Sequence, residues 1–211
     1  QGYGLTEITA FGTLNSPMFG RLGAIGPPLS GLDIRIAADG DAWVRGPSVM
    51  RGYFEDAAAD AEAFVDGYFR TGDLVRQGPG RRLYFVGRKK DVIVTGAGDN
   101  IYPNEVEQVL NDLPGIRDSM VLGVPGHDGM EEVHAVLLVT EDADAGELVE
   151  RANAKLAARQ RIAGWTVWPE TDFPRGGLQK PRRKEIAARI TLLNEHERHA
   201  IPAGAPPATR D

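Results

Sequence analysis

The sequence predicts an α+β protein in two parts: a small antiparallel β-sheet or barrel, followed by a compact α+β domain. Three observations predict it. Short segments between Gly31 and Val86 alternate apolar and polar residues; the charge density rises sharply at Arg88-Lys89-Lys90-Asp91; beyond that point strands alternate with amphipathic helices.

In the first part, Asp33-Ile34-Arg35-Ile36 and Ala42-Trp43-Val44-Arg45 alternate around Ala38-Asp39-Gly40-Asp41, the pattern of a hairpin and its turn. Arg82-Leu83-Tyr84-Phe85-Val86 is a further strand, entered from the turn-forming Gln77-Gly78-Pro79-Gly80. In the second part, Pro103 to Leu113 is predicted helical, with Pro103 at its first position, Val106, Val109, Leu110 and Leu113 on one face, and Pro114-Gly115 as its stop. Met120–Val124 and Val133–Thr140 are strands, Ala145–Arg159 is a helix, Trp165–Trp168 a short strand and Arg182–Leu193 a final basic helix. The Pro- and Ala-rich tail has no apolar periodicity and is expected to be disordered from residue 191 to 211.

A chain of 211 residues with 42% hydrophobic content can bury a substantial core. Its net charge of −6 argues against nucleic acid as a partner, despite the cluster Lys180-Pro181-Arg182-Arg183-Lys184. The absence of cysteine excludes disulfides, zinc thiolate sites and a cysteine nucleophile. No apolar run approaches the roughly 20 residues of a membrane span, which points to the cytoplasm. A start at Gln1-Gly2-Tyr3-Gly4, inside a turn and without an initiator Met, leads us to expect a piece of a longer protein.

Four short constellations carry chemistry. Gly2-Tyr3-Gly4-Leu5-Thr6-Glu7 offers an aromatic ring for a base, a hydroxyl for a phosphate and a carboxylate for Mg2+. Tyr68-Phe69-Arg70-Thr71-Gly72-Asp73-Leu74 sets a carboxylate after a glycine, able to accept two ribose hydroxyls. Gly87-Arg88-Lys89-Lys90-Asp91 joins the two parts. Pro174-Arg175-Gly176-Gly177-Leu178-Gln179-Lys180-Pro181 surrounds one lysine with turn residues, so that a loop can present its ammonium to a developing negative charge. Each alone is also explained by an ordinary turn or a solvated charge cluster.

Their order is more specific than any one of them. With Gly46-Pro47-Ser48-Val49-Met50-Arg51-Gly52-Tyr53-Phe54 and Asn100-Ile101-Tyr102-Pro103-Asn104-Glu105-Val106-Glu107 between them, the chain from 1 to about 190 strongly resembles the adenylate-forming superfamily of AMP-dependent acyl-CoA synthetases, in its C-terminal portion. The resemblance implies that residues 1–89 end the large N-terminal adenylation domain, with a small antiparallel β-barrel over roughly 20–87. Residues 90–190 would be a C-terminal lid domain that rotates about the hinge Lys90. Tyr3 would lie against adenine, Thr6 would touch the AMP phosphate and Glu7 would bind Mg2+. Asp73 would hold the ribose hydroxyls with Arg88 nearby. Lys180, favoured over Lys184, would bridge carboxylate and α-phosphate.

The implied reaction takes ATP, Mg2+ and a carboxylic acid to acyl-AMP and then passes the acyl group to a thiol. The block around Tyr102 resembles acyl-CoA synthetases more than amino-acid adenylation domains, so coenzyme A is the expected acceptor and a carrier-protein phosphopantetheine the alternative. A non-catalytic module of lid and barrel is the reading from another class. The sequence departs from the family pattern in three places. The Gly-rich phosphate loop is absent and is expected upstream, with most of the acyl pocket, so the fragment alone should be inactive. The loop Thr95-Gly96-Ala97-Gly98-Asp99-Asn100 is one residue longer, which leaves the glycine of the thiol tunnel open between Gly96 and Gly98. Gln179 stands where a glycine is common.

Overall fold

A computed structural model of the protein describes residues 2–9, 12–16, 20–126 and 129–200. It divides into two compact units, Gln1–Val92 and Ile93–Asp211.

In the first unit, β1 (Gly2–Tyr3) pairs antiparallel with β2 (Thr13–Leu14). Beyond them lie β3 (Asp33–Ile36), β4 (Asp41–Arg45), α1 (Ala57–Ala63), β5 (Phe64–Val65), β6 (Tyr68–Gln77) and β7 (Leu83–Arg88). The expected hairpin is present. Ile34 faces Val44 across β3 and β4, and Gly40 turns the chain at φ +88° with its N–H donating to Ala37 O.

The five strands form one antiparallel sheet in the order β3-β4-β6-β5, with β7 alongside the second half of β6. The sheet curls as half a barrel. Closure requires the edge strands to pair, and among the described residues no bridge joins β3 to β7. The neighbour of β7 is instead the segment at Ile25: its N–H donates to Leu83 O at 2.8 Å, and Leu83 N–H donates to Gly26 O at 3.0 Å. Among the described residues the sheet is therefore a curled half-barrel, the part of the expected small antiparallel barrel that these strands build. Its inner face buries Ile25, Ala42, Val75 and Leu83 in one cluster and Ile8, Val44 and Phe69 in a second, with Tyr3 and Ile34 bordering both.

The second unit opens with the short pair β8 (Ile93–Val94) and β9 (Asn100–Ile101), followed by α2 (Pro103–Asn111). Then come β10 (Ile116–Pro125), β11 (Glu131–Val139), α3 (Ala145–Asn153), β12 (Gly164–Val167) and α4 (Arg183–Ala200). β10 and β11 are antiparallel, and β12 adds to β11 in parallel after the α3 crossover. The apolar run through β10 follows from burial of both faces of the sheet. Val121, Val133, Ala135 and Leu137 pack with α2 and α3, whereas Met120, Leu122, Val136 and Leu138 pack with Ile186 and Ile190 of α4. Full burial of an isoleucine contributes about 1.5–3 kcal/mol, and both α4 isoleucines are fully buried.

Helix α3 stops at Asn153, short of the expected 159. The Asn153 amide donates to Ile162 O and accepts from Ile162 N–H, which binds the returning chain at the point where the helix would continue. Helix α4 runs to Ala200, across the first ten positions of the expected tail; residues 201–211 lie outside the described residues. Among the described residues, no helix is long and apolar enough to cross a membrane.

Candidate active site

The carboxylate of Asp73 is set by a kink within β6. Gly72 adopts φ +67°, a left-handed conformation that glycine takes without a Cβ penalty. Buried side chains hold the kink: Gly72 N–H donates to Asp41 Oδ1 at 3.1 Å, Asp73 N–H to Thr71 Oγ1 at 3.0 Å, and the Thr71 hydroxyl to Ala42 O at 2.8 Å. Asp41 and Asp73 are each 1% exposed. A carboxylate buried this far needs charged or hydrogen-bonding partners. Arg88, directly across the β6–β7 ladder, brings Nε to 2.7 Å from Asp73 Oδ1, and the Tyr3 hydroxyl donates to Oδ2 at 2.7 Å. Burial first, and then the Asp73 charge, push the Tyr3 phenol far above its ordinary range, so it remains a donor at any working pH. Its ring stacks at 6.5 Å on Phe85.

The segment after Tyr3 forms a single 3-10 turn, Thr6–Ile8, closed by Thr9 at φ 55°. Met50 N–H donates to Glu7 O at 2.8 Å and the Thr9 hydroxyl to Ser48 O at 2.8 Å, so two separate sequence blocks form one surface. The Glu7 carboxylate lies beside Tyr53, whose phenol is raised by desolvation and then by the Glu7 charge. Among the described residues, no group of three or more His, Asp or Glu gathers as a metal site. A lone Glu7 nevertheless fits Mg2+, which commonly takes one or two carboxylates and completes its shell with phosphate oxygens and water.

A cavity of about 570 Å3 opens in this unit, lined by Tyr53, Arg70, Thr71, Gly72, Arg88 and Lys90 among others. Arg88 thus touches both the cavity and the buried Asp73. Lys90 sits in the 3-10 turn Lys89–Asp91, directly after β7, and the unit ends at Val92.

Lys180, Gly96 and Gly98 belong to the second unit. Gly96 and Gly98 lie in the turn between β8 and β9; Gly98 N–H donates to Thr95 O at 2.8 Å, and its φ of +80° suits glycine. Lys180 caps a narrow loop in which Gly176 N–H donates to Lys180 O and Arg182 N–H to Pro174 O, both at 2.8 Å. Arg175, Arg182 and Arg183 around it are each paired with a carboxylate. Among the described residues none lies within salt-bridge distance of the exposed Lys180 ammonium, which leaves that charge open to a ligand.

Of the residues singled out in the sequence, Tyr3, Asp73 and Arg88 are in direct contact, and Glu7 is tied to the same unit through Tyr53. Asp41, Thr71 and Arg175 also stood within quoted blocks, but sequence reasoning did not read that Asp41 and Thr71 hold the kink or that Arg175 binds two carboxylates. Tyr53 stood within a quoted block without a role, and only the pairing of that block with the 3-10 turn reveals its position beside Glu7.

No family model matches the chain. It is 35% identical over 197 residues to the 2-succinylbenzoate–CoA ligase of Bacillus subtilis, an alignment covering 88% of this chain and 40% of that protein. Identity to the indoleacetate–CoA ligase of Aromatoleum aromaticum is 35% over 170 residues, or 78% of this chain and 33% of the relative. The chain thus spans well under half the length of these relatives. Among solved structures, the O-succinylbenzoate coenzyme A synthetase of Bacillus subtilis in complex with ATP and magnesium superposes with a TM-score of 0.80 at 33% identity, over 89% of this chain and 41% of the other. The same synthetase in complex with its acyl-adenylate intermediate also gives 0.80 at 33% identity, covering 88% and 40%. With the motif order in the sequence and the fold of both units, these similarities establish that the chain belongs to the adenylate-forming superfamily of AMP-dependent acyl-CoA synthetases and ligases, as a C-terminal portion of such a protein.

Proposed function

We propose that the chain is part of an AMP-forming acid–thiol ligase, which activates a carboxylic acid with ATP and transfers the acyl group to coenzyme A. The observation that carries this reading is the contact of Tyr3, Asp73 and Arg88, an aromatic ring, a carboxylate and a cation, beside a cavity that Arg88 lines. Relatives named as CoA ligases support coenzyme A as the acceptor over a carrier-protein phosphopantetheine. On this reading residues 1–89 complete the adenylation domain, with the curled sheet as part of its barrel. Residues 90–190 act as the lid and Lys90 as the hinge. The rest of the intact, cytoplasmic enzyme supplies the phosphate loop and the acyl pocket.

In the first half-reaction a carboxylate oxygen attacks the α-phosphorus of ATP and pyrophosphate leaves. In the second, the thiol sulfur attacks the acyl carbon, its proton is lost and AMP leaves. The Tyr3 hydroxyl yields its place on Asp73 to a ribose hydroxyl, while Arg88 holds the carboxylate in place through its contact with Oδ1. Glu7 would hold Mg2+ together with the nucleotide's phosphate oxygens, and the ion would there supply positive charge to offset that of the phosphates. Lys180 stabilises the negative charge gathered between carboxylate and α-phosphate.

The second unit is suited to serve both steps in turn. Ile93 and Ile101, at the root of the Gly96–Gly98 turn, pack on one face of the sheet, whereas Phe173 and Ile186, flanking the Lys180 loop, pack on the other. Rotation of such a body about one hinge exchanges the loop presented to the reaction centre.

This arrangement gives a direct test at Gly98. A tryptophan there should block thioester formation and leave acyl-AMP formation within about twofold of the parent. Gly98→Ala is the control, because it shares the strain of the left-handed backbone, about 1–2 kcal/mol, without the bulk. Single-turnover assays of each half-reaction read the result. Equal losses in both steps for Gly98→Trp would remove the turn from the thiol path.

A further inference from the structure

We infer that Arg175 is the positioning residue for Lys180, clamping the loop that carries it to the sheet of the second unit; this inference rests on the role proposed above for Lys180. All three guanidinium nitrogens are engaged. Nε donates to both oxygens of Asp172 at 3.0 and 3.1 Å, Nη2 to Asp172 Oδ1 at 2.7 Å and to Asp118 Oδ2 at 2.8 Å, and Nη1 to the backbone oxygen of Gln179 at 3.1 Å.

Each partner has a distinct consequence. Asp118 lies on β10, so the fork reaches rigid sheet. Asp172 is itself fixed, its backbone oxygen accepting from Trp168 Nε1 and its carboxylate accepting from Phe173 N–H. The Gln179 oxygen belongs to the peptide plane that ends at Lys180 N, so holding it sets the direction in which the Lys180 side chain leaves the loop. Gln179 occupies φ +58°, a conformation that costs any residue with a Cβ, and a peptide held there without an anchor would relax. Arg183, at the loop's exit, is bound to Glu107 at 2.6 Å and to Val121 O at 2.8 Å, so both ends are fixed and the lysine between them stays open.

The planar fork suits this task. A lysine at 175 would carry the charge on a single nitrogen and could not span Asp172, Asp118 and the Gln179 oxygen together.

Hydrogen exchange on this chain tests the clamp without reference to activity. In Arg175→Ala and in the longer, apolar Arg175→Met, the amides of Gly176 and Arg182, which close the loop, should exchange at least about tenfold faster, with those of β10 and β11 unchanged. Arg175→Lys should resemble Ala more than the parent. Unchanged exchange at both amides in a folded variant would overturn the proposal; should the Ala variant fail to fold, Asp172→Ala removes one arm of the fork and is read in the same way. In the intact ligase, Arg175→Ala should slow acyl-AMP formation about tenfold while thioester formation from preformed acyl-AMP stays within about twofold. Equal loss in both steps would make Arg175 a general structural residue and overturn its positioning role. Lys180→Ala, run alongside, separates the two readings: if it leaves adenylation intact, the role of Lys180 fails, whereas the exchange data still decide the clamp.

Discussion

Replacing Lys180 with alanine in the intact ligase should slow acyl-AMP formation by about 100-fold or more, on the order of 3 kcal/mol for one donor to transition-state charge. Thioester formation from preformed acyl-AMP should be nearly spared, because on the proposed rotation Lys180 then faces solvent. The expectation rests on the open ammonium of Lys180, in a loop whose arginines at 175, 182 and 183 are already paired. Lys184→Ala, one residue inside α4, should leave both steps within about twofold. Rapid-quench measurement of each half-reaction distinguishes the outcomes, and comparable losses in the two steps would reduce the loop to a structural element.

Asp73→Ala should weaken nucleotide binding by roughly 10- to 100-fold or more, since each charge-assisted hydrogen bond to a ribose hydroxyl is worth about 1.5–3 kcal/mol. It should also lower the unfolding midpoint. Arg88 and the Tyr3 hydroxyl would lose their shared partner, and a side chain at 1% exposure leaves little room for water to replace it. Asp73→Asn separates the two effects, because it keeps an acceptor in place while removing the charge. Calorimetric nucleotide affinity and thermal unfolding, measured on the same samples, give the answer. A drop in stability with unchanged affinity would make Asp73 a staple between β6 and β7 and nothing more.

The elements read most directly from the sequence are those with a regular apolar period and a local terminator, such as α2 between Pro103 and Pro114-Gly115, or the β3–β4 hairpin around Gly40. The long strand β6 was not legible. Gly72-Asp73 carries the chemistry of a turn, and its place inside a strand depends on Asp41, which accepts from Gly72 N–H across 31 positions, and on Thr71, whose hydroxyl ties Asp73 N–H to Ala42 O. Helix α1 was missed for the opposite reason: Asp56 caps it by accepting from Ala59 N–H, but none of its residues is buried, so it has no apolar stripe. In the site, residue types and their order were legible because the motifs are local. Pairings were not: Tyr3 and Asp73 lie 70 positions apart, and Arg175 and Asp118 lie 57 apart. Periodicity carries no information at that range, and the positioning role of Arg175 emerges only from the folded chain.

The most direct measurement is acid-dependent exchange of radiolabelled pyrophosphate into ATP by the intact protein, across a panel of aliphatic and aromatic carboxylic acids. Mg2+-dependent exchange is expected with at least one acid, abolished or strongly reduced by Lys180→Ala. Absence of exchange with every acid, in a protein that still binds ATP, would contradict the proposed activity.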